Sequence, residues 1–190
     1  IRQNNFPGIF HLKKNNMDKP ISKTLAAIIP GYRMHSQMFN NMLAGIKEAD
    51  ALKRIDNKTN HVTWMVGNLV NCRYWLAGIL GIAEKDPYEA LFKDAKALDV
   101  NLTYPLLEAL KKEWHKISPV LYQKLLVAGD DELYESFPFG MGISYVEENK
   151  LNMVAMAIDR ESYLFGQLGL MRKILGYEGV KYDVDDKLSY

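Results

Sequence analysis

The sequence predicts an all-α protein that folds as one four-helix bundle with a crossover connection. Four long segments carry apolar residues at three- and four-residue spacing, which is typical of helices with a buried face. Glycine, proline and polar residues separate these segments, and no convincing set of strands competes with them. The chain has 190 residues, which is long enough to bury a core without disulfides or metals.

The first two predicted helices span residues 21–46 and a segment that starts at Thr59 or Asn60 and stops near Gly81. Pro30 lies inside the first helix, where its ring displaces a backbone hydrogen bond and predicts a kink. The second helix is apolar on nearly every side, so we expect it to be the most buried of the four.

The second half of the chain begins with a connector at residues 83–102, which has a helical turn at 87–92 and is long enough to cross the end of the bundle. The third helix is predicted at 103–127, with a kink at Pro119. Turn residues then indicate a loop at 129–144. The fourth helix is predicted from about residue 147 to 175 and is closed by Gly176.

Charge and cysteine content narrow the range of partners and compartments. The chain has 24 Lys and Arg against 23 Asp and Glu, so it has no overall field that attracts nucleic acid or an anionic membrane. No apolar run approaches the length of a membrane span. The single cysteine, Cys72, lies in an apolar stretch and is interpreted as a buried thiol in a cytoplasmic protein. We expect residues 1–16 to be a flexible extension and residues 17–190 to form one domain.

Two sequence motifs carry a resemblance to a known family. They are WMVGNL at 64–69 in helix two, and RESYLFGQL at 160–168 with LMRKILG at 170–176 in helix four. The chain resembles the DinB/YfiT-like superfamily of bacterial four-helix bundles over residues 21–176. In that family helix two carries a Trp-x-x-Gly-His pattern, and helix four a His-Glu-x-Tyr-His-x-Gly-Gln pattern. The resemblance also implies a homodimer.

The resemblance implies a metal site that this chain has lost. The family binds a divalent ion through three imidazoles, and the corresponding positions here are Asn68, Arg160 and Leu164. Leucine has no donor atom, a guanidinium repels a cation, and an amide is a weak ligand for zinc or nickel. We therefore expect no metal cofactor, and the interpretation leans away from an enzyme.

The same positions indicate a pocket for a small anionic ligand. If Arg160 points into the family's pocket, its charge requires an anion or an ion pair, because burying an uncompensated charge is very costly. The candidate pocket residues are Asn68, Arg160, Tyr163, Leu164 and Gln167. Two alternatives stay open for Arg160: an ion pair with an acid of another helix or subunit, or a side chain that reaches solvent along its aliphatic stem.

Three functions are compatible with these observations. The leading interpretation is a metal-free, non-catalytic DinB-like protein that binds a small ligand or serves as a dimeric scaffold. The alternative is a metal-dependent thiol transferase or hydrolase with a relocated site built from His61 or His35 and a carboxylate. The third is a purely structural homodimer, for which Met34, Met38 and Met42 on helix one offer a face.

Overall fold

The computed structural model describes residues 18–140, 142 and 144–190, and this part of the chain is all-α. Within those ranges there is no strand, only an isolated antiparallel bridge between Ser136 and Asn149. The expected extension at residues 1–16 lies outside the described residues.

The described part of the chain contains four long helices and three one-turn helices. In chain order they are α1 (Leu25–Leu43), α2 (Glu48–Ala51), α3 (Val62–Ile79), α4 (Glu89–Phe92), α5 (Leu107–Val127), α6 (Asp130–Leu133) and α7 (Lys150–Ile174), with a 3₁₀ turn at Lys93–Ala95. The four predicted long helices are α1, α3, α5 and α7, each a few residues shorter than expected. The short helices α2 and α6 were not predicted, because a single turn leaves no periodic pattern in the sequence.

Helices α1 and α5 run antiparallel. Tyr32, early in α1, donates its hydroxyl to the carbonyl of Ser118 at 2.7 Å. Phe39, about two turns later, stacks on Trp114 with ring centroids 4.2 Å apart. As the residue number increases along α1, the number of the contacting residue in α5 decreases.

Helices α1 and α7 run in the same direction. His35 lies beside Ser162, with Nε2 and Oγ 3.0 Å apart. Two turns later, the carbonyl of Met42 accepts a hydrogen bond from Arg172 at 3.1 Å. The residue numbers of both helices therefore increase in the same direction along this contact.

Helix α3 packs on both α5 and α7 and runs antiparallel to α7. Arg160 reaches Asn68 near the start of α3, whereas Ala157 accepts a weak hydrogen bond from Cys72 one turn further on. Helix α7 runs in the same direction as α1, and α5 runs in the opposite direction. Because α3 is antiparallel to α7, α3 and α5 point the same way. The segment 80–106 carries the chain back along the molecule between them.

The core is centred on α3, as the sequence predicted. Almost every residue of this helix is buried, including the polar residues Asn68 and Arg73. The short helix α4 packs against α3 where Phe92 covers Gly67. No helix in the described part of the chain is both long and apolar enough to cross a membrane.

Candidate functional site

A buried ion pair between Arg73 and Glu161 lies at the centre of the four long helices. Arg73 Nε donates to Glu161 Oε1 at 2.9 Å, and Nη2 donates to Oε2 at 3.3 Å. Both residues are 1% exposed. The two-point geometry is the one that best offsets the cost of removing both charges from water.

The remaining surface of the Arg73 guanidinium is also occupied. Its Nη1 donates to Ser36 Oγ at 3.0 Å and to Ser118 Oγ at 2.5 Å. Its Cζ lies 3.4 Å from the ring centroid of Trp114 and 4.1 Å from that of Tyr32. Residues of α1, α5 and α7 thus converge on one side chain of α3, which fixes how the helices meet.

Glu161 is held as a carboxylate. Burial acts to raise its pKa, but the charge of Arg73 and the hydrogen bonds from His35 and Arg73 outweigh burial and lower the pKa below its usual value. Glu161 is therefore negatively charged at neutral pH and balances Arg73.

His35 extends this cluster to the protein surface. Its Nδ1 lies 2.9 Å from Glu161 Oε2, and its Nε2 lies 3.0 Å from Ser162 Oγ. His35 is 2% exposed, whereas Ser162 is exposed. A continuous hydrogen-bonded chain therefore runs from Arg73 in the core to a hydroxyl in contact with solvent.

That hydroxyl lies in an open groove between α1 and α7. The groove has a volume of about 520 Å³, and it is lined by Met34, His35, Met38, Met42, Ser162, Phe165, Gly166, Gly169, Lys173, Gly179, Val180 and Tyr182. Its walls are mainly apolar, and the side-chain polar groups are those of His35, Ser162, Lys173 and Tyr182. Because α1 and α7 run in the same direction, His35 and Ser162 lie toward one end and Lys173 toward the other.

Two of the residues predicted for the pocket, Asn68 and Arg160, contact each other. Arg160 Nη2 donates to Asn68 Oδ1 at 3.1 Å, and Asn68 Nδ2 donates to the carbonyl of Trp64 at 3.0 Å. Asn68 is buried and Arg160 is half-buried. Arg160 thus donates to an amide, and the acid at the centre of the fold is the next residue, Glu161.

The other three predicted pocket residues lie in different environments. Leu164 is 1% exposed in the core, Tyr163 is 64% exposed, and Gln167 is half-buried. Consecutive helix positions point about 100° apart, which is why Tyr163 and Leu164 face opposite environments. The structure brings Asn68 and Arg160 together and separates Tyr163 from Leu164.

His61, a candidate for the relocated metal site, caps the start of α3. Its Nδ1 accepts a hydrogen bond from the backbone N–H of Trp64 at 3.0 Å. Burial, with a smaller effect from the charge of Arg54, lowers the pKa of His61 to about 4. Among the described residues, no group of three or more His, Cys, Asp or Glu side chains is arranged to hold a metal ion.

A smaller cavity of about 360 Å³ opens beside His61. It is lined by Leu52, Arg54, His61, Leu98, Val100, Leu102, Thr103 and Tyr104. Arg54 donates through Nε to the carbonyl of Thr59 at 2.6 Å, which holds its side chain against the loop before α3.

Sequence reasoning missed Arg73. The signal that identifies it is a permanent charge in the middle of an otherwise apolar helix, since a buried arginine requires an acidic partner on a neighbouring helix. That partner is Glu161 on α7, which contacts α1 through His35 and α3 through Arg73.

No protein family model matches the chain, and no curated protein matches it significantly.

Proposed function

We propose that this protein is a metal-free, small-molecule-binding member of the DinB-like bundles, and that its ligand lies in the groove between α1 and α7. The observation that carries the proposal is the groove itself: a concave, mainly apolar site of about 520 Å³ with a few polar groups. Small-molecule sites in proteins have this size and this mixture of apolar walls and sparse polar contacts.

The proposed scaffold is a DinB-type four-helix bundle with a crossover connection. Its support is the order of directions, in which α1 and α7 run one way and α3 and α5 the other, so that the segment 80–106 must cross the molecule. A second support is Gly67 of the Trp-x-x-Gly motif, whose missing side chain makes room for the Phe92 ring.

The proposal includes no metal ion, because the side chains at the positions of the family's metal ligands are unsuited to bind one. Arg160 and Asn68 are hydrogen-bonded to each other, and Leu164 offers no donor. A guanidinium at a ligand position repels a divalent cation. The metal-dependent transferase or hydrolase is therefore the weaker alternative, since His61 is occupied as a helix cap and His35 by Glu161.

The groove favours an amphipathic carboxylic acid. Methionine side chains are flexible and polarisable, so Met34, Met38 and Met42 can adapt to an aliphatic or aromatic body. The ammonium group of Lys173 at one end of the groove attracts a carboxylate. The anionic ligand expected from the sequence is thus assigned to Lys173, and Arg160 is not required.

Calorimetric titration with dodecanoate tests this proposal with a matched pair of variants. Gly166 lines the groove and Gly78 lies on the surface of α3, and a β-carbon at either position would meet no atom within 4 Å. A β-carbon therefore fits at both positions, both residues are exposed, and only Gly166→Leu places its side chain in the groove. We expect Gly166→Leu to weaken binding about tenfold or more, equivalent to ~1.4 kcal/mol, with Gly78→Leu unchanged. Equal affinities in the two variants would reject the groove as the site.

A homodimer is a second proposal, favoured by an apolar stripe on α7. Tyr163, Leu170 and Ile174 are each about half or more exposed and follow one another at seven- and four-residue spacing, which places them on one side of the helix. A second copy of the chain would cover this stripe. Sedimentation velocity across a hundredfold concentration range should show a concentration-dependent dimer, and a constant monomer would reject this proposal.

The cytoplasmic location also stays a proposal. Cys72 is 6% exposed, and burial raises the pKa of its thiol to about 12. Such a thiol is inert and fits a protein that has no use for disulfides.

A further inference from the structure

We propose that Ser162 is a nucleophile that accepts the acyl group of an activated ester, with His35 as its general base and Glu161 as the residue that orients His35. The inference rests on the proposed function, because the acyl chain occupies the groove between α1 and α7. It extends that function from reversible binding to acyl transfer.

The first support is the order of atoms along the hydrogen-bonded chain. Ser162 Oγ lies 3.0 Å from His35 Nε2, and His35 Nδ1 lies 2.9 Å from Glu161 Oε2. A nucleophilic hydroxyl, a base and an orienting carboxylate in hydrogen-bond reach of one another are the recognised arrangement of an activated serine. Here the hydroxyl and the carboxylate are neighbours on α7, and the imidazole reaches between them from α1.

The second support is the arrangement of the two ring nitrogens of His35. Glu161 is an acceptor, so the Nδ1 of His35 carries a proton. The Nε2 on the other side of the ring faces the Ser162 hydroxyl, and in the tautomer with its proton on Nδ1 it is an acceptor for that hydroxyl.

Ser162 has one competing acceptor, the carbonyl of Ile158 in the preceding turn of α7. That oxygen lies 3.2 Å from Ser162 Oγ, slightly further than His35 Nε2. Back-bonding of this kind is common for a serine inside a helix. The presence of an imidazole acceptor at the shorter distance distinguishes Ser162 from an ordinary helical serine.

The third support is access. The two other serines near the cluster, Ser36 and Ser118, are each 2% exposed and donate to backbone carbonyls, so they act as structural groups. Ser162 is exposed and lines the groove, with Phe165 one turn further along α7. A neutral ester has no carboxylate for Lys173 to attract, so its acyl chain can lie on the apolar wall with the carbonyl carbon at the Ser162 end of the groove.

The reaction balances without a further reagent. Ser162 Oγ forms a bond to the ester carbonyl carbon while its proton passes to His35 Nε2. The bond from that carbon to the leaving oxygen then breaks, and the leaving oxygen takes the proton from His35. The products are an acyl ester on Ser162 and a free alcohol, and attack by water on the acyl ester releases the carboxylic acid.

The helix limits the substrate class to esters with good leaving groups. Ser162 lies in the middle of α7, where backbone N–H groups are bonded to carbonyls of the preceding turn. They are not directed at the oxyanion that forms during attack, and such donors normally contribute a large share of the rate. Aryl esters compensate because their leaving group departs readily.

The test is acylation of the full chain by 4-nitrophenyl octanoate, followed by release of 4-nitrophenol and by peptide mass mapping. We expect one octanoyl group on Ser162, none at that peptide in Ser162→Ala, and unchanged labelling in Ser189→Ala, which removes an exposed serine outside the groove. His35→Gln, checked for folding by a thermal melt, should slow nitrophenol release roughly a hundredfold, the usual contribution of a general base.

Failure of this inference is separable from failure of the proposed function. Titration of the wild-type protein with octanoate measures the groove alone, because a free carboxylate has no leaving group and does not acylate a serine. Octanoate binding together with an unmodified Ser162, or a Ser162 no more reactive than Ser189, overturns the nucleophile and leaves the groove intact. Loss of octanoate binding itself overturns the proposed function.

Discussion

At the scale of single residues, the buried cluster around Arg73 shows how charge is accommodated in this core. Removing one unpaired ion from water costs several kcal/mol. That cost is on the order of the free energy of unfolding of a whole domain. Arg73 is compensated by a two-point contact with Glu161 and by the Trp114 ring. The main effect of the cluster is therefore to determine which helices pack together, and its net contribution to the free energy of unfolding is small.

Replacing Glu161 by Gln should destabilise the protein strongly. The substitution removes the charge that balances Arg73 and leaves a buried guanidinium without its counter-ion. We expect the free energy of unfolding in urea to fall by about 3–5 kcal/mol. The matched control is Asp159→Asn on the exposed face of α7 two residues earlier, which should change it by less than about 0.5 kcal/mol. A loss in Glu161→Gln no larger than in the control would contradict the assigned role.

His61 should make stability depend on pH in a defined window. Its pKa is 6.5 in the unfolded chain and about 4 in the fold, so the unfolded state binds more protons between these values. The contribution of neutral His61 to the free energy of unfolding is therefore fully present above pH 6.5, and it is lost as the pH falls toward 4. His61→Asn keeps a good helix cap and removes the titration, so its free energy of unfolding should fall less steeply over this window. Parallel slopes for the two proteins would show that His61 does not titrate as the structure requires.

The sequence could identify the inward face of α7 only in part. Residues 160 and 161 differ by about 100° in direction, and the rotation of a helix on its axis depends on its partners. The motif resemblance indicates Arg160 as the inward-facing residue, whereas Glu161 is the residue that contacts α1 and α3. Arg73 was the available clue, because a charge in an apolar helix requires an acid nearby.

At the scale of helices, the contact between α3 and α4 depends on one glycine. The Phe92 ring occupies the space that a side chain at Gly67 would fill. This contact explains why a glycine, which weakens a helix interior by ~1 kcal/mol relative to alanine, stands in the most buried helix.

Two glycine substitutions on α3 should therefore have opposite effects. In Gly67→Ala the new methyl group would overlap the Phe92 ring, and overpacking of this kind costs about 1–3 kcal/mol. In Gly78→Ala the methyl group meets no atom within 4 Å, and the better helix propensity should stabilise the protein by up to about 1 kcal/mol. Thermal melts compare the two, and Phe92→Leu in the Gly67→Ala background should restore part of the loss. Equal melting temperatures for the two alanine variants would rule out a tight contact at Gly67.

The positions of the long helices could be predicted from periodicity, and their ends to within a few residues. Pro30 and Pro119 lie inside α1 and α5 as expected. The one-turn helices α2 and α6 could not be predicted, because a single turn has no periodic pattern and depends on tertiary contacts. Leu107 at the start of α5, for example, donates its backbone N–H to the carboxylate of Glu48 in α2.

At the scale of the whole molecule, the groove exists because α1 and α7 run side by side and the C-terminal segment lies across α1. Gln37 on α1 donates to the carbonyl of Asp185 at 2.9 Å and accepts from its backbone N–H at 3.0 Å. Gly179, Val180 and Tyr182 of the same segment line the groove. This segment could not be predicted from the sequence, because an extended segment bound by backbone contacts carries no periodic signal.

Divalent metals should not bind at Asn68, Arg160 and Leu164, the positions that correspond to metal ligands in the family that the chain resembles. With Asn68 and Arg160 bonded to each other and Leu164 in the core, zinc or nickel should raise the melting temperature no more than magnesium does. Elemental mass spectrometry of chelator-free protein measures the metal content directly. About one equivalent of zinc or nickel, with a higher melting temperature, would contradict the metal-free interpretation and direct attention to His61 and His35.

The most direct test of the central claim is a methyl NMR titration with dodecanoate, because the chain carries nine methionines and each gives one ε-methyl signal. The account predicts that the signals of Met34, Met38 and Met42, which line the groove, shift as ligand is added. The signals of Met65 and Met153, which are buried elsewhere in the core, should stay in place. Shifts confined to Met65 or Met153, or no shifts at millimolar ligand, would contradict the assignment of the groove as the binding site.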